Sequence, residues 1–203
     1  MGDFLLLISS TFSGNVEMLT TLAKLKNYDS SLEASLFDDN VDIKVYNNLI
    51  KTVSNNLDVI YKYFNLKKEF LKVDEFHLYD QYVDLVSNNS KEYSFEEGKK
   101  LVLEALSVLG DDYTNNLKKA FNERWIDVYN NVGKRSGAYS SGFYDTKPYI
   151  LLNYENTLND VSTLAHELGH SMHTYYSCLH NPYQYSHYKI FVAEVASTVN
   201  ELL

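Results

Sequence analysis

The sequence has a single cysteine, two prolines and eight glycines among its 203 residues. One cysteine cannot form an internal disulfide, which excludes a small secreted scaffold held together by disulfides. Because proline and glycine are scarce, few residues interrupt the chain, and most of it is free to form helices. No apolar run approaches the roughly 18–20 residues of a membrane-spanning helix, so we expect no membrane partner.

Basic residues are also scarce relative to acidic ones. The sequence has 18 lysines and arginines against 27 aspartates and glutamates, and its formal net charge is −9. This balance argues against nucleic acid or an anionic membrane surface as the main partner. Hydrophobic residues make up 45% of the chain, enough for a core, which excludes general disorder. The apolar residues 4–8 are too few for a signal peptide, so a cytoplasmic location is predicted.

Apolar residues recur mostly at the three- and four-residue spacing of helices. Ser94 and Glu97 form a capping-box pair, and Gly110 is expected to end the helix that they begin. Asn159 or Asp160 is expected to cap a later helix. Helices are predicted over residues 15–26, 30–36, 42–73, 94–110, 112–125, 160–178 and 189–203.

Two stretches lack helical spacing. Residues 133–141 are rich in glycine and hydroxyl side chains, which predicts a loop or an edge strand. Residues 149–154, directly after Pro148, are apolar and partly β-favouring, which predicts a short strand. The predicted fold class is therefore mainly α, with a small β element just before the most informative helix.

That helix contains the sequence His166-Glu167-Leu168-Gly169-His170. The two histidines are four residues apart, so both imidazoles project from one helix face. Two nitrogens placed in this way can occupy adjacent corners of a tetrahedral zinc site, about 2.0–2.1 Å from the metal. Glu167 follows the first histidine and is placed to hold a water molecule rather than the metal. The alternative is a pair of ordinary helix histidines with an exposed glutamate between them.

A catalytic zinc site needs a third protein ligand and an open fourth position. Glu194 is the favoured candidate, because it lies among apolar residues, and burying a carboxylate is costly unless it is paired or metal-bound. Glu201 lies on the same helix face and is either a rival ligand or a residue that supports one. We expect one Zn²⁺ per chain, although cobalt or manganese could occupy the same ligands.

His173 and Cys178 lie on the same helix as the two histidines. A metzincin would have glycine at the position of His173 and a third histidine at Tyr176, so that class is excluded. His173 is predicted to be a packing residue or a neighbour that supports the ligands. Cys178 is predicted to be a small buried side chain, since nothing marks it as a nucleophile.

Three segments resemble oligoendopeptidase F within the thimet-oligopeptidase family of zinc metallopeptidases. They are TLAHELGHSMHTYYS, the later IFVAEVASTVNELL, and the preceding RWIDVYNNVGKRSGAYSSGFYDTKPYILLNY. The upstream segment NYDSSLEASLFDDNV is similar to that family as well. The resemblance implies a helical zincin-type fold in which His166, His170 and Glu194 bind the metal and Glu167 is the catalytic residue.

The resemblance also implies where substrate binds and how the chain is organised. Gly137, Ala138 and Tyr139 match the family's edge strand, to which an extended oligopeptide would add by main-chain hydrogen bonds. Residues 1–124 would form a helical region, and residues 125–203 the zinc-site region of the same catalytic domain. The implied function is zinc-dependent hydrolysis of internal peptide bonds in oligopeptides.

In length the sequence departs from that family, whose members are much longer. Their hydrogen-bond donors to the transition state lie well beyond the third metal ligand. We therefore expect a central, catalytic fragment that binds zinc and has weak or no turnover. The alternative is an inert peptide-binding or assembly fragment that keeps the zinc site. In either case, apolar surfaces that pack against other segments in the longer family members would be exposed here. Such surfaces would favour self-association.

Overall fold

The mainly helical fold predicted from the sequence is confirmed by the computed structural model, which describes residues 4–85 and 91–203. Over these residues there are eight α-helices and one three-stranded sheet. The chain divides into two compact units, one containing residues 4–85 and the other residues 91–203. The boundary predicted at residue 125 separates a helical region from the zinc-site region of one catalytic domain. That boundary stays a prediction.

The first unit is built from four helices and a short 3₁₀ helix at Leu78–Tyr82. Helix α1 begins well before the predicted start at residue 15, because the hydroxyl groups of Ser9 and Thr11 bond carbonyls four residues back and so fit within a helix. Ser30 caps α2, since its side chain accepts a hydrogen bond from the backbone N–H of Glu33. The helices are α1 (Leu5–Leu25), α2 (Ser31–Phe37), α3 (Ile43–Asn55) and α4 (Leu57–Leu71).

The prediction of one helix over residues 42–73 is wrong, because Asn56 divides that segment into α3 and α4. Asn56 ends α3 with φ −119° and ψ 15°, outside the helical range. Its side-chain amide donates a hydrogen bond to the carbonyl of Thr52 at 2.7 Å. An asparagine that bonds the backbone in this way competes with the helix. The apolar spacing continues across the break, so spacing alone did not reveal it.

The second unit contains four helices and the sheet. Gly110, with φ +94°, ends the helical run of α5 as predicted, after an intervening 3₁₀ turn at Leu106–Leu109. The predicted end of the next helix at residue 125 is too late, because Arg124 has a positive φ of 58° and Trp125 already bonds the sheet. The elements are α5 (Phe95–Ala105), α6 (Asp111–Asn122), β1 (Ile126–Asp127), β2 (Tyr139–Ser141), β3 (Tyr149–Leu151), α7 (Leu158–His180) and α8 (Ile190–Leu202).

The sheet has the order β1-β3-β2, so β2 is an edge strand. β3 pairs in parallel with β1 and antiparallel with β2, and Ser140 lies opposite Ile150. This confirms the edge strand expected within residues 133–141. The strand predicted over residues 149–154 is shorter than expected, because ladder pairing ends at Leu151.

Helix α7 runs through the core of the second unit. Its Leu164, Leu168 and Met172 are almost fully buried, and the helix contacts α5, α6 and β3. Fully burying an aliphatic side chain of this size contributes about 1.5–3 kcal/mol. The buried side chains therefore hold α7 firmly in place, which matters because the same helix carries the two motif histidines.

Large apolar side chains also remain on the surface. On α8, Phe191, Val192 and Val195 are all exposed, and α1 exposes Leu6 and Phe12. Among the residues described, no helix combines the length and the apolar character needed to cross a membrane.

Candidate metal centre

The helix that carries the motif begins with a capping box. Thr157 Oγ1 accepts a hydrogen bond from the backbone N–H of Asp160, and the Asp160 carboxylate accepts from the Thr157 N–H in return. The expected cap at Asn159 or Asp160 is therefore wrong, since Asp160 is the third residue of the helix and the partner of the cap. The reciprocal bonds satisfy backbone donors that the first turn leaves unpaired.

His166 and His170 lie on one face of α7, as their spacing predicts. Their ring centroids are 4.9 Å apart, and their side chains are 27% and 19% exposed. Burial lowers the pKa of His170, with the positive charge of His166 acting in the same direction, although the nearby Glu194 carboxylate opposes the shift. A lowered pKa favours the neutral imidazole, which is the form that binds metal.

Glu194 reaches these histidines because α8 packs unusually close to α7. A Cβ added to Gly169 would lie 2.7 Å from the Cα of Ser197 and 2.8 Å from the carbonyl oxygen of Ala196. Asn200 adds a hydrogen bond from its side-chain amide to the carbonyl of Ala165 at 3.1 Å. The missing side chain at Gly169 thus allows the contact that brings the third acidic group to the site.

The three predicted ligands meet at one point. Glu194 Oε2 lies 3.6 Å from His166 Nε2 and 3.5 Å from His170 Nε2, and the three ligand atoms all lie within 4.8 Å of one another. Atoms held about 2.0–2.1 Å from a zinc ion at tetrahedral angles would be about 3.3 Å apart. Two nitrogens and one carboxylate oxygen at these separations fit a zinc ion with little movement.

The burial expected for Glu194 is not observed. Its side chain is 51% exposed, because the neighbouring apolar residues of α8 are themselves on the surface. Ser197 Oγ donates to Glu194 Oε2 at 2.8 Å, which orients the carboxylate toward the histidines. The argument from burial therefore does not hold for Glu194, although its carboxylate lies beside both histidines; its role as the third ligand stays a prediction.

Glu201 contacts the far side of the His166 ring rather than the point where the three ligands meet. Its Oε2 lies 3.1 Å from His166 Nδ1, and its Oε1 accepts a hydrogen bond from Ser162 Oγ at 2.8 Å. The Ser162 bond first, and then His166, lower the pKa of Glu201. An ionised carboxylate only accepts hydrogen bonds, so Nδ1 carries a proton, and in the neutral imidazole Nε2 then keeps the free lone pair. This arrangement favours the supporting role over that of rival ligand.

Glu167 points into the same region from the buried side of α7. It is 7% exposed, and its Oε2 makes no hydrogen bond to any described residue. The backbone N–H of Ser140 in β2 bonds the carboxylate. Burial raises the pKa of Glu167, and the charge of His166 opposes that shift. Glu167 is thus a poorly solvated carboxylate beside the three candidate ligands, with one oxygen free to accept a proton.

A cavity of about 410 Å³ is lined by Glu167, by the three candidate ligands and by residues of β2. Ala138 and Tyr139, two of the three residues predicted to bind substrate, line it, and that role stays a prediction. Gly137 lines a separate cavity instead, and its carbonyl accepts from the side-chain amide of Asn153 at 2.8 Å. Its assignment to substrate binding stays a prediction.

Sequence reasoning did not identify Ser140 and Tyr188, which also line this cavity. The Tyr188 ring stacks on His173 with centroids 3.6 Å apart, which favours the packing role for His173. Ser140 lies within the predicted loop or edge strand at 133–141, one position after the three residues predicted to bind substrate. Nothing in a single sequence marks Tyr188, because it lies in an irregular segment before α8.

Comparison with known proteins finds similarity to one peptidase family along nearly the whole chain. The model of Peptidase family M3 matches residues 7–203. The chain is 46% identical over 202 residues to Oligopeptidase PepF of Bacillus subtilis (strain 168). It is 44% identical over 193 residues to the chromosomal Oligoendopeptidase F of Lactococcus lactis subsp. cremoris. These alignments cover 100% and 95% of this chain but only 30% and 32% of the two relatives.

A solved structure gives the same result. A crystal structure of a protein from Chlamydophila abortus is 44% identical and matches with a TM-score of 0.77. The match covers 99% of this chain and 34% of that one. The chain therefore spans about a third of the length of the proteins that it matches.

Proposed function

The chain belongs to peptidase family M3, and from this premise we propose that it contains the catalytic centre of a zinc-dependent peptidase that cleaves internal bonds of oligopeptides. The observation that carries the proposal is the meeting of His166, His170 and Glu194 beside the buried carboxylate of Glu167. The names of the relatives, which are oligopeptidases and oligoendopeptidases, support the substrate class.

In the proposed mechanism, His166 Nε2, His170 Nε2 and Glu194 Oε2 would hold the zinc ion. A zinc ion held there would polarise the scissile carbonyl and lower the pKa of water toward about 7. Ser197 fixes the Glu194 carboxylate through its hydroxyl, and Glu201 fixes the ring of His166 through Nδ1. These supporting bonds hold two of the three candidate ligands, Glu194 and His166, in place.

Glu167 is the proposed general base and then the general acid. Its carboxylate takes a proton from the attacking water and later delivers it to the leaving amine. Burial raises its pKa, which makes the carboxylate a stronger base than an exposed glutamate. The N–H of Ser140 holds the carboxylate toward β2 and therefore toward the bound peptide.

β2 is the proposed docking strand for substrate. It is at the edge of the sheet, and its residues Ala138 and Tyr139 border the cavity that contains Glu167. An extended peptide would add to this edge by main-chain hydrogen bonds, which depend little on side-chain identity. This mode accounts for cleavage of varied oligopeptides at one site.

The test is to compare the parent protein with Glu167→Gln after loading both with zinc. We expect the parent to cleave a quenched fluorescent oligopeptide only slowly, and Glu167→Gln to lose about 10²–10⁴-fold of that kcat. Metal analysis should find one zinc ion per chain in both proteins. Glu123→Gln, which changes an exposed carboxylate outside the site, is the matched control and should behave like the parent.

Three outcomes would contradict the proposal in different ways. Full activity of Glu167→Gln would remove Glu167 from the mechanism. Failure of the parent to take up zinc at stoichiometric supply would remove the metal site. Zinc binding and peptide binding without hydrolysis in any form would instead support the inert peptide-binding alternative.

A further inference from the structure

Asn200 is a buried polar residue of α8 that the proposed mechanism does not use. It is 3% exposed, and its side chain bonds two other helices. Its amide nitrogen Nδ2 donates a hydrogen bond to the carbonyl oxygen of Ala165 in α7 at 3.1 Å. Its Oδ1 accepts from the hydroxyl of Tyr113 in α6 at 2.8 Å. One side chain therefore connects α6, α7 and α8.

The two partners fix the orientation of the Asn200 amide. A carbonyl oxygen only accepts hydrogen bonds, so the amide nitrogen faces Ala165 and the amide oxygen is left to face Tyr113. Burial raises the pKa of Tyr113 to about 12, although the hydrogen bond to Asn200 opposes that shift. The Tyr113 hydroxyl therefore stays protonated at neutral pH and is able to donate. Asn200 cannot turn its amide over without losing both bonds.

Tyr113 is itself held in place by contacts between α6 and α7. Its ring stacks on the ring of Tyr176, with an interplanar angle of 17° and centroids 6.2 Å apart. The Tyr176 hydroxyl donates to Asp112 Oδ2 at 2.6 Å and accepts from Asn116 Nδ2 at 3.0 Å, and both of these residues are in α6. The hydroxyl that Asn200 meets is thus positioned independently of α8.

Apolar packing does little to fix the rotation of α8 about its own axis. The buried residues of α8 are Ala193, Ser197 and Asn200, which are small or polar. Larger apolar side chains of this helix, such as Phe191, are exposed. The close approach at Gly169 involves main-chain atoms of α8, so it sets how near the two helices lie. Hydrogen bonds are directional, and the pair made by Asn200 is therefore what sets the rotation.

The rotation of α8 matters because both acidic groups of the metal site lie on this helix. Glu194 is the third candidate ligand, and Glu201, next to Asn200, contacts His166. Side chains extend about 5–6 Å from a helix axis, so a rotation of about 10° would move a carboxylate by about 1 Å. Metal–ligand distances tolerate only about 0.2 Å. A rotation this small is enough to weaken metal binding.

We propose that Asn200 is a positioning residue for metal binding, which fixes the rotation of α8 so that Glu194 and Glu201 face His166. Tyr113 holds Asn200 in that orientation, so a hydroxyl group on α6 contributes to a metal site to which it provides no ligand. This role rests on the proposed function, because it assumes that the three candidate ligands bind metal. It adds two residues that lie outside the ligand motif.

Zinc affinity, measured by chelator competition, is the first test. Asn200→Leu keeps the approximate size of the side chain but removes both hydrogen bonds, and it should weaken zinc binding by about 10–100-fold. Tyr113→Phe keeps the stacked ring and removes only the hydroxyl, and it should weaken zinc binding by about 3–10-fold.

The double variant separates positioning from stability. With Asn200→Leu and Tyr113→Phe together, both partners of the bond between α6 and α8 are apolar, so the metal-free protein should regain thermal stability that either single variant loses. Its zinc affinity should stay as low as that of Asn200→Leu, because the directional bonds that set the rotation of α8 are still missing.

A spectroscopic measurement reports the geometry of the site directly. Cobalt can occupy the same ligands, and its visible absorption at saturation depends on the coordination geometry. Asn200→Leu and the double variant should both change this spectrum at full occupancy, because Glu194 turns away from the two histidines. Asn115→Leu and Tyr46→Phe make the same exchanges at exposed positions of α6 and α3. These matched controls should behave like the parent in every measurement.

Parental zinc affinity and a parental cobalt spectrum in Asn200→Leu would overturn the positioning role and leave the proposed function intact. Zinc affinity that recovers together with stability in the double variant would also overturn it, since Asn200 would then only stabilise the fold. If Asn200→Leu does not fold, Tyr113→Phe decides alone, and unchanged zinc affinity in that variant would refute the role. A parent that takes up no zinc would remove both the positioning role and the metal site of the proposed function.

Discussion

Glu201 is the residue that decides how His166 faces the metal site. Its carboxylate accepts from Nδ1 at 3.1 Å and is itself held by Ser162 at 2.8 Å. A histidine that donates from one ring nitrogen presents the lone pair of the other, and such supporting bonds raise ligand basicity. The Glu201 side chain is 43% exposed, so it is not needed for core packing. Its effect should therefore appear in metal binding and not in folding.

Replacing Glu201 by glutamine should weaken zinc binding by about 10–100-fold, because glutamine accepts less strongly and can turn its amide toward Nδ1. The Kd is measured by competition with a chromophoric chelator. Ser162→Ala should give a smaller loss in the same direction, and Glu123→Gln should give none. Unchanged affinity in Glu201→Gln would show that the contact with His166 does not orient the ring. Loss of thermal stability in the metal-free variant would point instead to a structural role.

At the scale of single residues, the sequence predicts those site residues whose chemistry requires a fixed spacing. It does not predict the others. His166 and His170 follow from a four-residue period, and the structure brings them together with Glu194 as expected. Ser140 and Tyr188 lie at the site through a backbone N–H and a stacked ring, and neither contact requires a particular motif. Residues that contribute through their shape or their main chain are difficult to identify from a single sequence.

Between elements, the pairing of α7 with α8 positions the third ligand. Glycine inside a helix costs about 1 kcal/mol relative to alanine, so its presence at position 169 calls for a packing reason. That reason is the backbone of α8, which lies where a Cβ of residue 169 would be. Ser197 and Ala196 form this contact one turn beyond Glu194. The position of α8, and with it the Glu194 carboxylate, depends on Gly169.

Gly169→Ala should push α8 away from α7, since the added carbon would meet backbone atoms that cannot rotate aside. We expect a loss of about 1–3 kcal/mol in the free energy of unfolding, as for other overpacked sites. Zinc affinity should fall by at least about tenfold, because Glu194 moves with α8. Urea unfolding and chelator competition measure the two effects.

Gly14→Ala is the matched control for that variant. Gly14 is also inside a helix, but a Cβ there would meet nothing within 4 Å. The control should therefore stabilise the protein by about 0.5–1 kcal/mol through helix propensity alone. A stabilised Gly169→Ala with parental zinc affinity would mean that the α7–α8 contact is looser than its geometry indicates.

Element boundaries show what periodic patterns can and cannot predict. The capping-box pair Ser94 and Glu97 was identified because both members are characteristic residue types. The cap at Thr157 was missed because Asn159 and Asp160 are equally good candidates by type, and only the bonds decide among them. Asn56 was missed because the apolar period continues across Asn55 and Asn56. In both cases, a hydrogen bond between a side chain and the backbone sets where the helix begins or ends.

For the molecule as a whole, the most informative feature is the apolar surface. Phe191 and Val195 flank Glu194 on α8, and both are exposed in this chain. The chain spans about a third of the length of its relatives. Exposed apolar patches favour association. Self-association of the chain through the exposed apolar side chains of α8 stays a prediction.

All three candidate ligands belong to the unit formed by residues 91–203, and this gives the metal a local effect on stability. A ligand that binds only the folded state stabilises it by about 2.7 kcal/mol at one hundred times its Kd. Zinc should therefore slow amide hydrogen exchange in α7 and α8, which it would connect. Exchange in α1–α4 should not change, because no candidate ligand lies there.

Hydrogen exchange followed by mass spectrometry, with and without zinc, measures this effect by segment. Glu167→Gln keeps all three ligands and should show the same protection as the parent. His166→Ala should show none, which separates metal binding at the site from adventitious binding elsewhere on an acidic protein. Equal protection across both units would mean that zinc acts through a contact outside the proposed site. Protection confined to α7 would mean that Glu194 on α8 is not a ligand.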